Sequence, residues 1–222
     1  MAIPPSTVRI RERMIAALEA PTTTADQIST IIGHLRETLK QCRESSAKSF
    51  LLFLAVATLY TLLVKNQATS FKVADIELAR TSFAVVWIPA VAAFAFYRSV
   101  MLEIFAYLLE KVLLQYYRKT MPAFHKNDIF MLATFPSALD GDNTLQNLFP
   151  PLRNFRWFGT AWTIVSSLVI IGLPLAWFVM SAYWTLTLNQ VGMLSKASSV
   201  AVTFLFLFRS VWILIQAWKY GV

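Results

Sequence analysis

Cysteine and charged residues are scarce in this sequence. The single cysteine, Cys42, excludes an internal disulfide, and its place ahead of the first long apolar segment indicates a reducing, cytosolic environment. Only 14% of the 222 residues are charged, whereas charged residues make up about a quarter of an average soluble domain. This composition argues against an ordinary soluble protein.

Catalytic and metal-binding motifs are also missing. His34 and His125 stand far apart in the sequence, without the cysteines or acidic residues that a zinc site needs at fixed spacings. Asp140 and Asp142 flank a glycine but lack the remaining ligands of a calcium loop. Phosphate-binding glycine loops and serine nucleophile motifs are absent as well. We therefore expect a protein that is not an enzyme and that has no catalytic residues, metal or cofactor.

Long apolar segments are what the sequence has in abundance, at residues 49–64, 78–97, 158–186 and 197–218. As a helix, each is long enough to cross most or all of the hydrocarbon layer, where a helix satisfies its own backbone groups. The segments predict an all-α, polytopic membrane protein with four transmembrane helices. The predicted domains are N-terminal cytoplasmic helices at 1–48, a first transmembrane hairpin with a cytoplasmic helical extension at 49–118, a cytoplasmic connection at 119–157, and a second transmembrane hairpin at 158–222.

Lysine and arginine residues predict the topology. Seven precede residue 49 and seven more lie between residues 98 and 156, whereas the connection after the first span has three and the last connection has one. Because basic residues collect in cytoplasmic loops, we expect both termini in the cytosol, at the plasma membrane or a bacterial inner membrane. These loops also account for the net charge of +8, so nucleic-acid binding is not expected.

Aromatic residues near the ends of the apolar segments fit the same orientation, because amphipathic rings favour the headgroup level. The residues expected at the outer level are Tyr60, Trp87, Tyr183 and Trp184, and those at the inner level are Trp157, Trp162, Trp218 and Tyr220.

The first 20 residues do not have the pattern of a cleaved signal. Arg9, Arg11 and Arg13 are followed by only a brief apolar run and then by Glu19. We therefore expect the apolar spans themselves to anchor the chain.

A helix longer than a bilayer needs is predicted around the first span. No proline interrupts residues 24–64, and the apolar residues Ile28, Ile32, Leu35 and Leu39 recur at the spacing of a coiled-coil seam. We expect this stripe to contact another helix, either the helical continuation of the second span or a second copy of the chain. The irregular connection at 119–157 is a further candidate for binding a cytosolic protein, or else a cap beneath the bundle.

Arg209 is the most suggestive single residue, since it lies about two-thirds of the way through the last apolar segment. A charge at such depth costs several kcal/mol unless it finds a partner or reaches the headgroups. We expect Arg209 to pair with Glu103 within or between subunits, with Glu110 as another possible acidic partner. The alternative is that its long side chain extends to the inner lipid phosphates.

Helix kinks are predicted at Pro89 in the second span and at Gly172 and Pro174 in the third. A proline removes one helix hydrogen bond and can bend the helix. Such bends serve either gating or packing.

The sequence leads to a functional hypothesis that rests on architecture alone. We expect a membrane subunit, in contact with the lipid bilayer, that self-associates and presents a basic helical platform to a cytosolic protein, sensing membrane or envelope disturbance as in a bacterial stress or phage-defence system. One alternative is an oligomeric ion channel that uses Arg209. Another is a lipid-modifying enzyme that uses Glu103, His125 or Asp128.

Overall fold

The computed structural model describes residues 25–65, 70–73, 76–79, 83–120, 165, 171–188 and 191–219. Four α-helices make up most of this part of the chain, so the all-α expectation is confirmed at this level. They are α1 (Ala25–Val64), α2 (Ile88–Thr120), α3 (Leu173–Thr187) and α4 (Met193–Lys219).

A short antiparallel hairpin lies between α1 and α2 and was not predicted. Its strands are β1 (Ser70–Val73) and β2 (Ile76–Ala79), with Phe71 opposite Leu78 and Lys72 opposite Glu77. Apolar and polar residues alternate within each strand, over residues 71–73 and 76–78, which is the period of a strand rather than a helix. The predicted second span was therefore wrong in starting at residue 78.

The second span begins instead with a 3₁₀ helix at Phe83–Trp87, which continues directly into α2. Pro89 is the second residue of α2 and lies in its first turn. A proline is tolerated there, because the first amides of a helix have no partner within the helix. The structure thus places Pro89 at the junction of two helix types; whether it bends the span stays a prediction.

Three segments of the described chain are long and apolar enough to cross a membrane: Asp26–Val64, Phe83–Tyr117 and Met193–Ala217. This agrees with a helical membrane protein. The third predicted span is described as α-helix over only the 15 residues of α3, and its first part lies outside the described residues. The count of four spans therefore stays a prediction.

The described chain divides into two compact units, and each is considered by itself. Unit 1 contains residues 25–40 of α1 and 106–120 of α2. Unit 2 contains residues 41–64 of α1, the hairpin, residues 83–105, and helices α3 and α4.

In unit 2, α1 and α2 run antiparallel. The hydroxyls of Ser46 and Ser99 lie 3.1 Å apart, and each hydroxyl also lies 3.1 Å from the other residue's carbonyl oxygen. Farther along α1, the ring of Phe53 contacts Phe96 at 5.4 Å between centroids, and Tyr60 packs in one cluster with Val85. Residue numbers thus rise along α1 in the direction in which they fall along the facing segment 85–99, as expected for antiparallel helices.

Helices α3 and α4 continue this alternation within unit 2. Phe53 contacts Phe178, and Tyr60 bonds to Thr185, so α3 runs parallel to α1. Helix α4 runs parallel to α2, because Ser199 bonds to the carbonyl of Val86 and the ring of Phe206 contacts those of Phe94 and Tyr97 at 5.5 and 5.7 Å.

The core of unit 2 combines large aromatic residues with alanines. Phe53, Phe96 and Phe178 are almost completely buried and pack together. The alanines of α2 at 92, 93 and 95 are equally buried and lie in the same cluster. Small residues allow helix backbones to approach closely in membranes, so these alanines make room for the rings.

In unit 1, the stripe predicted on α1 is partly covered. Leu39 is buried, whereas Ile28, Ile32 and Leu35 are half-buried. Leu109, Val112, Leu113 and Tyr116 of α2 are also buried, as expected for an apolar helix face. The guanidinium of Arg36 lies 5.3 Å from the ring centre of Tyr117, which brings the two helix segments into contact. Whether the stripe also contacts a second copy stays a prediction.

Candidate functional site

Buried hydroxyl groups form the most distinctive polar feature of unit 2. Tyr60 is fully buried, and its hydroxyl lies 2.7 Å from the hydroxyl of Thr185. Thr185 is also fully buried and bonds to the carbonyl of Ser181 at 2.8 Å. The ring of Tyr60 thus fills the core of unit 2, and its hydroxyl joins α1 to α3. Its level relative to the headgroups stays a prediction.

Trp177 makes a second polar contact between these helices. Its indole N–H donates to the hydroxyl of Thr61 at 3.0 Å, and Thr61 donates in turn to the carbonyl of Ala57 on its own helix. In a medium without water, a polar side chain must find its partner within the protein. The Trp177 contact satisfies this requirement and fixes the rotation of α3 against α1.

Ser199 joins α4 to the start of the second span. Its fully buried hydroxyl donates to the carbonyl of Val86 at 2.6 Å. In a 3₁₀ pattern the carbonyl of residue 86 would accept from the amide of residue 89. Residue 89 is proline, which has no amide hydrogen. The serine of α4 thus supplies the hydrogen bond that Pro89 cannot.

The Ser199 contact gives a first testable expectation. Ser199→Ala should lower the free energy of unfolding by about 1 to 2 kcal/mol, because the buried Val86 carbonyl loses a donor. The measurement is unfolding of the purified protein in detergent. Ser198→Ala is the matched control, since the exposed Ser198 hydroxyl bonds only to Leu194 of its own helix. Equal effects of the two substitutions would contradict the assigned role of Ser199.

Two lysines lie near helix ends on the hairpin side of unit 2. The ammonium group of Lys196 is bonded to the carbonyl of Leu186 at 3.2 Å, next to the end of α3. Lys65, just after α1, lies 5.9 Å from the ring centre of Trp184. A cation near a helix C-terminus interacts favourably with its free carbonyls. The contact of Lys196 therefore closes the α3–α4 turn.

Arg209 and Glu103 of the predicted charged site are not paired within unit 2. Arg209 and Glu103 are both exposed and, among the described residues, make no ion pair with each other. Glu110 lies in unit 1 and is buried, with 9% of its surface exposed. The pairing of Arg209 with Glu103 therefore stays a prediction only for contacts between subunits.

The predicted kink residues of the third span lie at the start of α3. Ile171 and Gly172 form part of a π-helical turn, and Pro174 is the second residue of the α-helix that follows. Gly172 has ordinary right-handed helical angles, φ −67° and ψ −40°. The hydrogen-bond pattern therefore changes from π to α between residues 172 and 173. Helices bend at wide turns and at prolines, but the bend itself stays a prediction.

No group of three or more potential metal ligands occurs among the described residues. His34 is exposed on α1, and Cys42 is a buried free thiol. His125 and Asp128, named for the lipid-modifying alternative, lie outside the described residues, as does the connection at 121–157. The described part of the chain thus adds nothing that favours an enzyme.

Comparison with protein-family models gave no match, and comparisons with curated proteins and with solved structures gave none either. The functional argument therefore depends on the chain's own residues.

Sequence reasoning did not single out the serines and threonines that join these helices. Ser46, Ser99, Thr185 and Ser199 are polar residues in or beside apolar segments. Their common signal is a small hydroxyl where lipid would not satisfy it. That signal identifies helix contacts but does not reveal which helix is the partner.

Proposed function

We propose that this chain is a non-enzymatic membrane subunit that self-associates and presents a basic helical surface to a cytosolic protein partner. The observation that carries the proposal is the distribution of charge along α1. This helix has 40 residues and is therefore about 60 Å long, roughly twice the thickness of the hydrocarbon layer.

Charge divides α1 into two parts. Residues 49–64 contain no charged side chain, whereas residues 25–48 contain seven, of which Lys40, Glu44 and Lys48 are examples with exposed side chains. The uncharged part fits the hydrocarbon layer. The charged part fits water, where its side chains are available to a soluble partner.

The exposed surface of unit 2 supports the membrane placement. Large apolar side chains are exposed on all four of its helices, including Leu51 on α1, Phe94 on α2, Val179 on α3 and Leu205 on α4. A soluble monomer rarely exposes this much contiguous apolar surface, whereas lipid tails cover it at no cost. Because both α1 and α2 have their more charged ends at the same side, that side is the cytosolic one under the proposal.

Self-association and partner binding are tested with the full chain in detergent. Two copies with different tags should co-purify after co-expression, and chemical cross-linking should give discrete oligomers. A cytosolic protein should be recovered with the wild type and lost with Lys40→Glu. The matched control is Lys65→Glu, which makes the same change of charge beyond the opposite end of α1. A monodisperse monomer that retains no cytosolic protein would contradict the proposal.

A second candidate function is an oligomeric ion channel, and one observation favours it. Arg209 is exposed beside the exposed apolar residues Leu205 and Phe208, and charged side chains in spans commonly face a water-filled path. Reconstituted liposomes separate the two functions. Ion flux that changes with Arg209→Ala supports the channel, and the absence of flux supports the platform.

A further inference from the structure

Three exposed basic side chains occur on three different helices of unit 2: Lys48 on α1, Arg98 on α2 and Arg209 on α4. They are far apart in the sequence. The contacts between the helices place them at one level of the bundle.

The contact between Ser46 and Ser99 fixes the heights of Lys48 and Arg98 along the bundle. Ser46 and Ser99 are bonded to each other, so they lie at the same height. Lys48 is two residues beyond Ser46, or about 3 Å, and Arg98 is one residue before Ser99, or about 1.5 Å. Because α1 and α2 are antiparallel, both steps go in the same direction. Lys48 and Arg98 therefore differ in height by only about 1.5 Å.

The aromatic contacts of Phe206 fix the height of Arg209 along the bundle. Its ring lies against both Phe94 and Tyr97 of α2, so residue 206 lies between them in height. Arg209 is three residues farther along α4, which adds about 4.5 Å. Since α4 runs parallel to α2, this step brings Arg209 to the height of Arg98.

Each of these basic residues has an exposed apolar residue four positions away, on the same face of its helix and toward the α1–α2 hairpin. The partners are Leu52 for Lys48, Phe94 for Arg98 and Leu205 for Arg209, and they are 53%, 48% and 62% exposed. On all three helices, an exposed apolar side chain thus lies one turn on the hairpin side of a basic side chain, and the basic side chains share one height. On α2 and α4, exposed apolar side chains also follow beyond the basic residue, at Met101, Phe105, Trp212 and Ile215. Long basic side chains that share one height among apolar ones are expected near the boundary of the hydrocarbon layer, where their charged ends reach the headgroups.

We infer that Lys48, Arg98 and Arg209 form a basic belt that binds the phosphate groups of anionic phospholipids. None of the three makes an ion pair with another residue in the described part of the chain. Two of them carry a guanidinium group, whose paired N–H donors match phosphate oxygens. The nearest acidic residues on these helices, Glu44 and Glu103, lie four and five positions away in the direction opposite to the apolar partners. Neither carboxylate forms an ion pair with a belt residue in the described part of the chain, so the three basic side chains are available to lipid phosphate.

The belt gives Arg209 a different position from the one expected from sequence. In the sequence, Arg209 lies about two-thirds of the way along the last apolar segment, which predicts a position deep in the span. Its level beside Arg98 and Lys48 places it at the leaflet boundary, where its charge incurs little of the cost of burial in hydrocarbon. The inference depends on the membrane placement of unit 2 but not on the proposed cytosolic partner.

The common level is tested by measuring depth in nanodiscs. A nitroxide label is attached to Lys48→Cys, Arg98→Cys and Arg209→Cys, each in a Cys42→Ala background, and its collisions with oxygen and with a water-soluble nickel chelate are compared. The three depths should agree to within about one helical turn of 5 Å and lie near the phosphates. Labels at Leu52→Cys and Leu205→Cys should lie about one turn deeper. A label at residue 209 near the bilayer centre would overturn the belt.

Lipid binding is tested by native mass spectrometry of the full chain with equal amounts of phosphatidylglycerol and phosphatidylcholine. The ratio of bound anionic to neutral lipid should fall about fivefold for Arg209→Gln alone, and again for each further change in the triple variant with Lys48→Gln and Arg98→Gln. The control triple variant, Arg36→Gln with Lys40→Gln and Lys65→Gln, removes the same charge elsewhere and should keep the wild-type ratio.

Each other outcome of the lipid experiment would count against the belt. An equal loss in both triple variants would show that net charge alone attracts the lipid. An unchanged ratio in the belt variants would show that these residues do not bind it. Inorganic phosphate added in excess should leave the bound phosphatidylglycerol in place, and its displacement would overturn the assignment to a lipid headgroup.

Discussion

Tyr60→Ala is expected to lower the free energy of unfolding by about 3 to 5 kcal/mol, since it removes a fully buried aromatic ring. The ring contacts Trp177 and Trp184, with centroids 6.0 and 6.4 Å away. The loss of the hydroxyl bond to Thr185 adds a smaller term, because polar contacts between membrane helices contribute only about 1 kcal/mol. The measurement is thermal or denaturant-induced unfolding in detergent.

Tyr183→Ala is the matched control for Tyr60. Tyr183 is the same residue type on the neighbouring helix α3, but it is 63% exposed. Its removal should change stability by no more than about 0.5 kcal/mol. Tyr60→Phe should fall between the two, since the ring stays and only the hydroxyl is lost. A Tyr60→Ala variant as stable as the Tyr183 control would show that α1 and α3 do not pack as described.

Phe178→Ala is expected to cost a similar amount, about 3 to 5 kcal/mol. Phe178 has no exposed surface, and its ring lies 5.6 Å from Phe53, 5.9 Å from Phe96 and 5.1 Å from Trp177. Because it joins α3 to both α1 and α2, its loss leaves a cavity that neighbouring alanines are too small to fill. Unfolding in detergent is again the measurement.

The control for this change is Phe208→Ala on α4. Phe208 is 68% exposed, and its ring stacks on the exposed Trp212. Lipid or detergent covers this side chain in the folded protein, so its removal leaves no internal cavity. If Phe208→Ala destabilised the protein as much as Phe178→Ala, the surface described as exposed would instead be a packed interface.

The helices were predictable because their signal is long. Uninterrupted apolar runs and the lack of proline in residues 24–64 both indicate extended helix, and α1 follows them closely. The β1–β2 hairpin was missed because its strands have only four residues each. Because an apolar run begins at Leu78, the sequence predicts a span that starts there, although Leu78 belongs to the second strand.

The contacts between helices could not be predicted from periodicity. The hydroxyl of Ser199 needs a hydrogen-bond partner, but the sequence does not say which one. The partner is the Val86 carbonyl, which lacks an amide donor because residue 89 is proline. The depth of Arg209 could not be predicted from the sequence for a related reason. Its depth depends on how α4 is staggered against α2, and that stagger is set by the packing of Phe206.

Extraction of membranes at alkaline pH tests most directly whether the apolar helices lie in a bilayer. Cells expressing the full chain are broken, and the membrane fraction is washed with carbonate, which releases proteins held only by surface contacts. The protein should stay in the membrane pellet and enter solution only with detergent. Release by carbonate alone, as a protein stable in buffer without any amphiphile, would contradict the membrane placement and the functions proposed from it.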